Sequence, residues 1–285
     1  MQRAPAPRIL APMSALDIAA TTGLFARLAV AAGGAIMRVR AGGVASRLKA
    51  DRSPVTDADE AAERIILEGL ARNLPDTPVV AEEAAARGEV PAVGRSFILV
   101  DPLDGTREFI AATAEFTVNI ALIVDGAPVA GAVYAPALGR LWAGGGAAAW
   151  RWDVSAGAAL PPEPRPIRTR PKPPRPVALT SRSHPDGPSE AFLLRLPSCE
   201  RRAAGSSLKF CLLAEGEGDL YPRGSAVMQW DVAAGDAVLR AAGGVTVDVR
   251  GEPLRYGPAG GAYSSEPFVA WGDKAAARGA LLTMP

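Results

Sequence analysis

An α+β N-terminal half joined to an α/β C-terminal half is the fold class that the sequence predicts, and three observations carry it. Residues 116–136, FTVNIALIVDGAPVAGAVYAP, hold β-branched runs on both sides of Asp125-Gly126, the signal of an antiparallel hairpin. Beyond residue 176, short apolar runs alternate with helical periodicity, the pattern of an α/β layer. Between the two lies LPPEPRPIRTRPKPPRP, a Pro-rich run that reads as an extended, solvated connector and divides the chain into units 1–155 and 156–285.

The elements follow in order. Residues 14–40 read as an amphipathic helix opened by Ser14, with Asp17 three positions on as a variant capping box. Asp17, Arg27 and Arg38 interrupt its apolar run, which suits neither a signal-peptide core nor a transmembrane segment. TDADEAAERIILEGLARNLP reads as a helix capped by Thr56, with Asp59 in its first turn and Ala62, Ile65, Ile66 and Leu70 at helical spacing. PVVAEE and SFILVD are short apolar runs, hence buried strands whose C-terminal ends deliver Glu82, Glu83 and Asp101. RLWAGGGAAAWRW extends the antiparallel sheet. PVALTS, DLYP and VTVDV read as strands, SSLKFCLLAEG as a helix entered through Gly205, and WDVAAGDAVLRAAGG as a helix closed by Gly243-Gly244. No solenoid repeat occurs.

Composition narrows the chemistry. The 285 residues are 48% hydrophobic, enough for a substantial core, and 31 Lys and Arg balance 30 Asp and Glu. No global field therefore favours a nucleic acid polymer or an acidic lipid surface. Cys199 and Cys211 form no C-x-x-C pair and read as core thiols in a reducing cytoplasm. His184 is the only histidine, which excludes a His-rich zinc or iron site. G-x-S-x-G, the P-loop and G-x-G-x-x-G are all missing, so the usual supports of serine hydrolase, nucleoside triphosphate and dinucleotide chemistry are missing too.

What remains is oxygen. In DPLDGTREFI, residues 101–110, Asp101 and Asp104 stand three apart, split by the stiff Pro102. With Glu82 and Asp231 they would repel one another unless a cation sat between them, and hard carboxylate ligands suit Mg²⁺. The Leu103 carbonyl is a further oxygen. A helix beginning after Gly105 would offer free N–H groups to a phosphate beside the metal. Asp-Pro and Asp-Gly pairs also cap ordinary turns, so this stretch by itself leaves a plain turn open.

DPLDGTREF resembles the first signature of the inositol monophosphatase superfamily and WDVAAGDAVLRAAGG its second. The likeness continues through SPVTDAD, PVVAEE, EFTVNIALI, GAVYAPALG, SRSH, GSSLKFCLLAEG and DLYPR, from about Lys49 to about Gly257. Within the superfamily it resembles the CysQ family of 3'(2'),5'-bisphosphate nucleotidases, on Glu108 and GSSLKFC above all. The resemblance implies a layered α-β-α-β-α sandwich. It also implies a Mg²⁺-dependent, lithium-sensitive phosphatase, with two or three ions, that converts 3'-phosphoadenosine 5'-phosphate to AMP and so protects sulfate assimilation.

Residue by residue, Glu82 (rather than Glu83), Asp101, the Leu103 carbonyl, Asp104 and Asp231 match the metal ligands of the superfamily. Asp59 matches an acid supporting a weaker metal, and Thr106 a hydroxyl that with Glu82 orients the attacking water. Gly105 and Thr106 match phosphate-binding amides. Ser206, Ser207, Lys209 and His184 match the nucleotide-facing segment, with Lys209 expected at the second phosphate. The partner implied is a small phosphorylated nucleotide. The expected location is the cytoplasm, with peripheral association at the inner face of the membrane left open, as is the choice between monomer and homodimer.

The chain departs from the family pattern at YPRGSAVMQWD, where relatives carry an aromatic and Gly-Pro-Thr after the arginine and Glu before the tryptophan. Gly224 to Gln229 replace them. This keeps open an inositol monophosphatase or a sugar-bisphosphate phosphatase on the same fold, and a non-catalytic nucleotide or metal sensor.

Overall fold

A computed structural model describes residues 17–43, 46–48, 54–196, 198–258 and 262–279, and Ser14 and Lys49 lie outside them. Helix α1 (Ile18–Gly42) opens with Asp17 itself as the cap, its carboxylate accepting from Ala20 N at 3.0 Å. Its length and mean hydropathy of 1.4 would suffice for a membrane span, but 67% of that apolar window is buried inside the fold. Phe25, Ala29, Val30 and Ile36 pack inward, which makes α1 a core helix.

A short ribbon of β1 (Ser46–Leu48) and β2 (Pro54–Thr56) leads into α2 (Asp57–Asn73). The expected cap is present as a full capping box: Asp59 accepts from Thr56 N at 2.8 Å and Ala58 N donates to Thr56 Oγ1 at 3.2 Å. Then follow β3 (Val79–Ala81), α3 (Glu82–Ala86), β4 (Ser96–Asp104), α4 (Thr106–Ile110), β5 (Thr117–Val124), β6 (Ala127–Ala135), β7 (Arg140–Gly145), β8 (Ala148–Asp153) and β9 (Arg165–Ile167). Strands β3 to β9 form one seven-stranded sheet in sequence order, parallel between β3 and β4 and antiparallel elsewhere. Asp125 (φ 50°) and Gly126 (φ 75°) make the hairpin turn predicted between β5 and β6.

The Pro-rich run supplies β9, so this sheet extends past the boundary expected at residue 155. An edge strand tolerates Pro166, whose missing N–H would break a central ladder. Further along the run, Arg170 forms two 2.9 Å bonds to the buried Asp219. The run is therefore bonded to both sheets instead of hanging between them.

The second sheet comprises β10 (Val177–Ser181), β11 (Glu200–Ala204), β12 (Leu220–Arg223), β13 (Val245–Asp248) and β14 (Phe268–Trp271), in the order β11-β10-β12-β14-β13. Its helices are α5 (Gly187–Leu194), α6 (Leu208–Ala214), α7 (Gln229–Ala242) and α8 (Lys274–Gly279). Strand alternation sorts the layers. Ile98, Val100, Ile120 and Leu122 face α1 and α2, while Phe97, Leu99, Ala121 and Ile123 face α6 and α7. Tyr221, Phe268 and Ala270 close the other side of α6 and α7, and Leu220, Val269 and Trp271 turn to α5 and α8. The result is the expected α-β-α-β-α sandwich. Both faces of each sheet are covered, which is why the strands read as continuous apolar runs.

Helix α7 lies directly on β6. A Cβ added at Gly131 would come within 2.6 Å of the Ala234 carbonyl and 2.8 Å of Ala237 Cβ. Replacing Gly131 with valine should therefore lift α7 from the sheet and cost about 1–3 kcal/mol, as overpacking does. Urea unfolding checks this, and an unchanged midpoint would refute the close packing.

Candidate active site

The site starts where β4 stops being regular. Asp101 pairs with Asn119 and Asp104 with Thr117, and the register shifts between them, so Pro102 and Leu103 form a bulge. The sequence suggests a turn here, whereas the strand continues through the bulge. Pro102 has no N–H to lose, and Leu103 N instead donates to Asp101 Oδ1 at 2.9 Å. Gly105 then ends the strand with φ 92°, and a Cβ there would collide with Ser206 Oγ. Helix α4 starts immediately afterwards and leaves its first amides without intrahelical acceptors.

Neighbouring elements bring the other acids. Ala81 pairs with Val100, so Glu82, the next residue and the first of α3, stands beside Asp101. Asp231 lies in the first turn of α7 and accepts from Met228 N at 3.1 Å. Asp59, held by its capping box, comes within 3.3 Å of Thr106 Oγ1, which is also 3.3 Å from the Leu103 carbonyl.

The electrostatics show that these groups share one field. Burial, then the charges of Glu82, Asp104 and Asp231, push the Asp101 carboxyl well above its ordinary range. Burial with Asp104 and Glu82 does the same to Asp231. Asp104 is also raised by burial, against the pull of Lys209 and its Ser207 hydrogen bonds. Among the described residues, no group of three or more acidic, His or Cys side chains is drawn in closely enough to enclose an ion. Leu103 N, Ser207 N and Met228 N donate to Asp101, Asp104 and Asp231 respectively. All the converging donors are hard oxygens, the set that suits a divalent cation of the Mg²⁺ type.

The residues expected to face a nucleotide have more structural roles than the sequence suggests. Ser206 Oγ donates toward the carbonyls of Asp104 (2.9 Å) and Glu115 (2.8 Å). Ser207 bonds Asp104 Oδ2 through its N (2.7 Å) and its hydroxyl (3.0 Å), and its Oγ lies 2.6 Å from the Asp231 carbonyl. Lys209, expected at a second phosphate, is buried and donates to the carbonyls of Ser206 (2.6 Å) and Ala204 (3.3 Å). Its burial lowers its pKa to about 8. His184 is exposed, 3.2 Å from Arg107 Nη1, and burial of its ring edge with the charges of Arg107 and Arg223 lowers its pKa.

Four contributors are missing from the sequence reading. Asn119 reaches Ser207 Oγ at 2.9 Å and Asp104 Oδ2 at 3.4 Å. Glu115 pairs with Arg182 through two bonds (2.7 and 2.9 Å) and accepts from Gly205 N (2.8 Å). Ser183 bonds Glu108. Arg223, buried, donates to the His184 carbonyl at 2.8 Å. Only Asn119 gave a local signal, as an amide inside an otherwise apolar strand. Asp104, Asp231, Ser207, Lys209 and Arg223 are among the residues that line a cavity of about 380 Å³.

Comparison with known proteins agrees with this geometry. The inositol monophosphatase family model matches residues 17–280, and the chain belongs to that family. It is 44% identical over 234 residues to the 3'(2'),5'-bisphosphate nucleotidase CysQ of Escherichia coli O157:H7, covering 81% of this chain and 92% of the relative. The CysQ of Buchnera aphidicola subsp. Acyrthosiphon pisum is 39% identical over 208 residues, 73% of this chain and 76% of that one. Among solved structures, CysQ from Bacteroides thetaiotaomicron, described as a bacterial member of the family, superposes with a TM-score of 0.76 at 32% identity, over 91% of this chain and 99% of that one. An inositol monophosphatase from Zymomonas mobilis gives 0.72 at 27% identity, over 94% and 98%.

The raised carboxyls carry a pH signature. The folded chain holds these protons more tightly than the unfolded chain, so their contribution to stability is full below about pH 3.9 and is lost as pH rises through the raised values. In chelator this contribution should weaken from about pH 5 to about pH 8, and added Mg²⁺ should raise the melting temperature more at the higher pH. Calorimetry at both pH values checks it, and an equal Mg²⁺ increment would count against a shared cation site.

Proposed function

We propose that this site hydrolyses the 3'-phosphate of a 3'(2'),5'-bisphosphate nucleotide, with 3'-phosphoadenosine 5'-phosphate the expected substrate and AMP the product. The chain is a phosphatase of the inositol monophosphatase family, and its similarity to CysQ extends over most of its length. The observation that carries the reading is the convergence of Glu82, Asp101, Asp104 and Asp231 in one electrostatic field, with Asp104 and Asp231 lining a cavity large enough for a nucleotide.

Asp101, Asp104, Asp231, Glu82 and the Leu103 carbonyl are the groups that would hold the metal, with Asp59 supporting a further ion. Bound Mg²⁺ ions would supply an activated water and neutralise charge on the departing ribose oxygen. Thr106, held between Asp59 and the Leu103 carbonyl, would with Glu82 orient the water for in-line attack. The Gly105 and Thr106 amides would bind the phosphate being transferred. Ser207 and Asn119 hold the Asp104 carboxylate from the second half and the neighbouring strand, so that both sheets set its position. His184 and Arg223 also line the cavity, where they would meet a second anionic group. A cytoplasmic location agrees with this substrate.

Asp104→Asn removes one ligand charge and keeps the volume. It should lower Mg²⁺-dependent kcat by at least on the order of a hundredfold while the melting temperature stays close to that of the unaltered chain. Near-normal turnover would refute the ligand assignment.

Steady-state phosphate release at matched Mg²⁺ and pH tests the substrate. 3'-Phosphoadenosine 5'-phosphate should show a higher kcat/KM than inositol 1-phosphate or fructose 1,6-bisphosphate, because remote contacts to base and 5'-phosphate help position the reacting group. A win for either competitor would transfer the assignment to a monophosphatase or sugar-bisphosphate phosphatase. Release from none of the three, with binding retained, would point to a sensor.

A further inference from the structure

The cavity lining is of two kinds. Asp104, Asp231, Ser207 and Lys209 are polar or charged, while Ala226, Val227, Met228 and Val232 give it an apolar surface. Ala226, Val227 and Met228 belong to the loop between β12 and α7, Gly224 to Met228, whose one ladder contact is the Met228 bridge to Ser264. A loop of this kind needs outside contacts to hold a defined shape.

Gln229 supplies them. The residue is only 4% exposed, and both ends of its carboxamide are engaged. Nε2 donates to the carbonyls of Gly257 (2.9 Å) and Ser264 (3.2 Å), and Oε1 accepts from Gly257 N at 2.8 Å. Two carbonyls on one side and an N–H on the other fix the amide orientation. A carboxylate of the same shape could accept from Gly257 N but would face two carbonyl oxygens with no proton to give. The backbone continues the same seam: Gln229 N donates to Tyr263 O (2.7 Å), Ser265 N donates to Val227 O (2.7 Å), and Met228 bridges Ser264.

We propose that Gln229 is a positioning residue for substrate selection, its carboxamide clamping Gly257 and Ser264 so that Ala226, Val227 and Met228 form the apolar wall against which a nucleoside base packs. The proposal rests on the nucleotidase reading and adds the part of the site that distinguishes a nucleotide from a bare phosphate ester. The Gln229 carboxamide bonds Gly257 and Ser264 and none of the acids, so the clamp acts on binding more than on turnover.

Three variants test it in the full chain with Mg²⁺ present: Gln229→Glu, Gln229→Met and Ala226→Glu, the last placing a charge on an exposed part of the wall. The readouts are kcat and KM for 3'-phosphoadenosine 5'-phosphate, and the rise in melting temperature produced by AMP and by inorganic phosphate. Each Gln229 variant should raise KM about tenfold with kcat within about twofold, the size expected for losing a buried hydrogen-bond set. All three should lose most of the AMP increment and keep the phosphate increment. A fall in kcat at unchanged KM would overturn the proposal by placing the effect at Asp231, and unchanged parameters would overturn it as well. If the unaltered protein prefers inositol 1-phosphate, the nucleotidase reading fails, and the AMP increment still decides the clamp: its loss in the variants supports it and its retention refutes it. If the Gln229 variants do not fold, Ala226→Glu decides in the same way.

Discussion

Burying several carboxylates around one point is the constraint on which the rest of this structure depends. Charges desolvated together raise one another's pKa, as Asp101 and Asp231 show, and such a cluster persists only where local donors and a cation offset the repulsion. Each of the three aspartates therefore carries its own backbone donor. Leu103 N serves Asp101, Ser207 N serves Asp104, and Met228 N serves Asp231. Those donors come from a strand bulge, the start of α6 and the start of α7, places where the chain has N–H groups not committed to a ladder or helix. The irregular backbone at the site supplies donors that favour the charged form of these acids against their burial, and it aims them.

The same requirement couples the two sheets. Asp104 is on the first sheet, yet its carboxylate is bonded by Ser207 from the second. Ser207 Oγ also meets the Asp231 carbonyl, and Glu115 ties Gly205 and Arg182 to the loop after α4. Asn119 joins Asp104 and Ser207 across this seam. A displacement of one half against the other would open all of these bonds together. The extensive packing of α7 on the first sheet, with Gly131 allowing direct backbone contact, resists such a displacement. Site geometry and core packing are thus one mechanical unit.

Much of this was legible in the sequence, and the reason differs from element to element. α2 could be read because its cap, its first-turn acid and its apolar spacing agree, and the β5–β6 turn because Asp125-Gly126 suits a backbone with positive φ. The acids could be read because Asp101 and Asp104 lie in one long family signature. The strands β11 and β14 could not: ERRAA in β11 is largely exposed at a sheet edge, where no alternation is required. β9 was hidden inside a Pro-rich run, because only an edge position makes Pro166 compatible with a strand. The surroundings of Lys209, two carbonyls and the face of Tyr221 at the lining of the cavity, could not be read because they are set by tertiary contacts.

The departure from the family pattern at Gly224 to Gln229 takes on meaning from the same partners. Gly224 sits against Pro188 and Asp186, where a side chain has no room, so the loop turns there without needing a proline to stiffen it. Gln229 answers carbonyls that a glutamate would repel, and this difference of one donor ties the loop to the 257–264 region. The loop then reaches Asp231 through Met228 N, two residues after the clamp. Sequence change in this loop is therefore free to alter the apolar wall of the cavity while Asp231 keeps its backbone donor. Met228 contributes its side chain to that wall and its N–H to Asp231, so the two roles are separable: a changed side chain leaves the backbone donor in place.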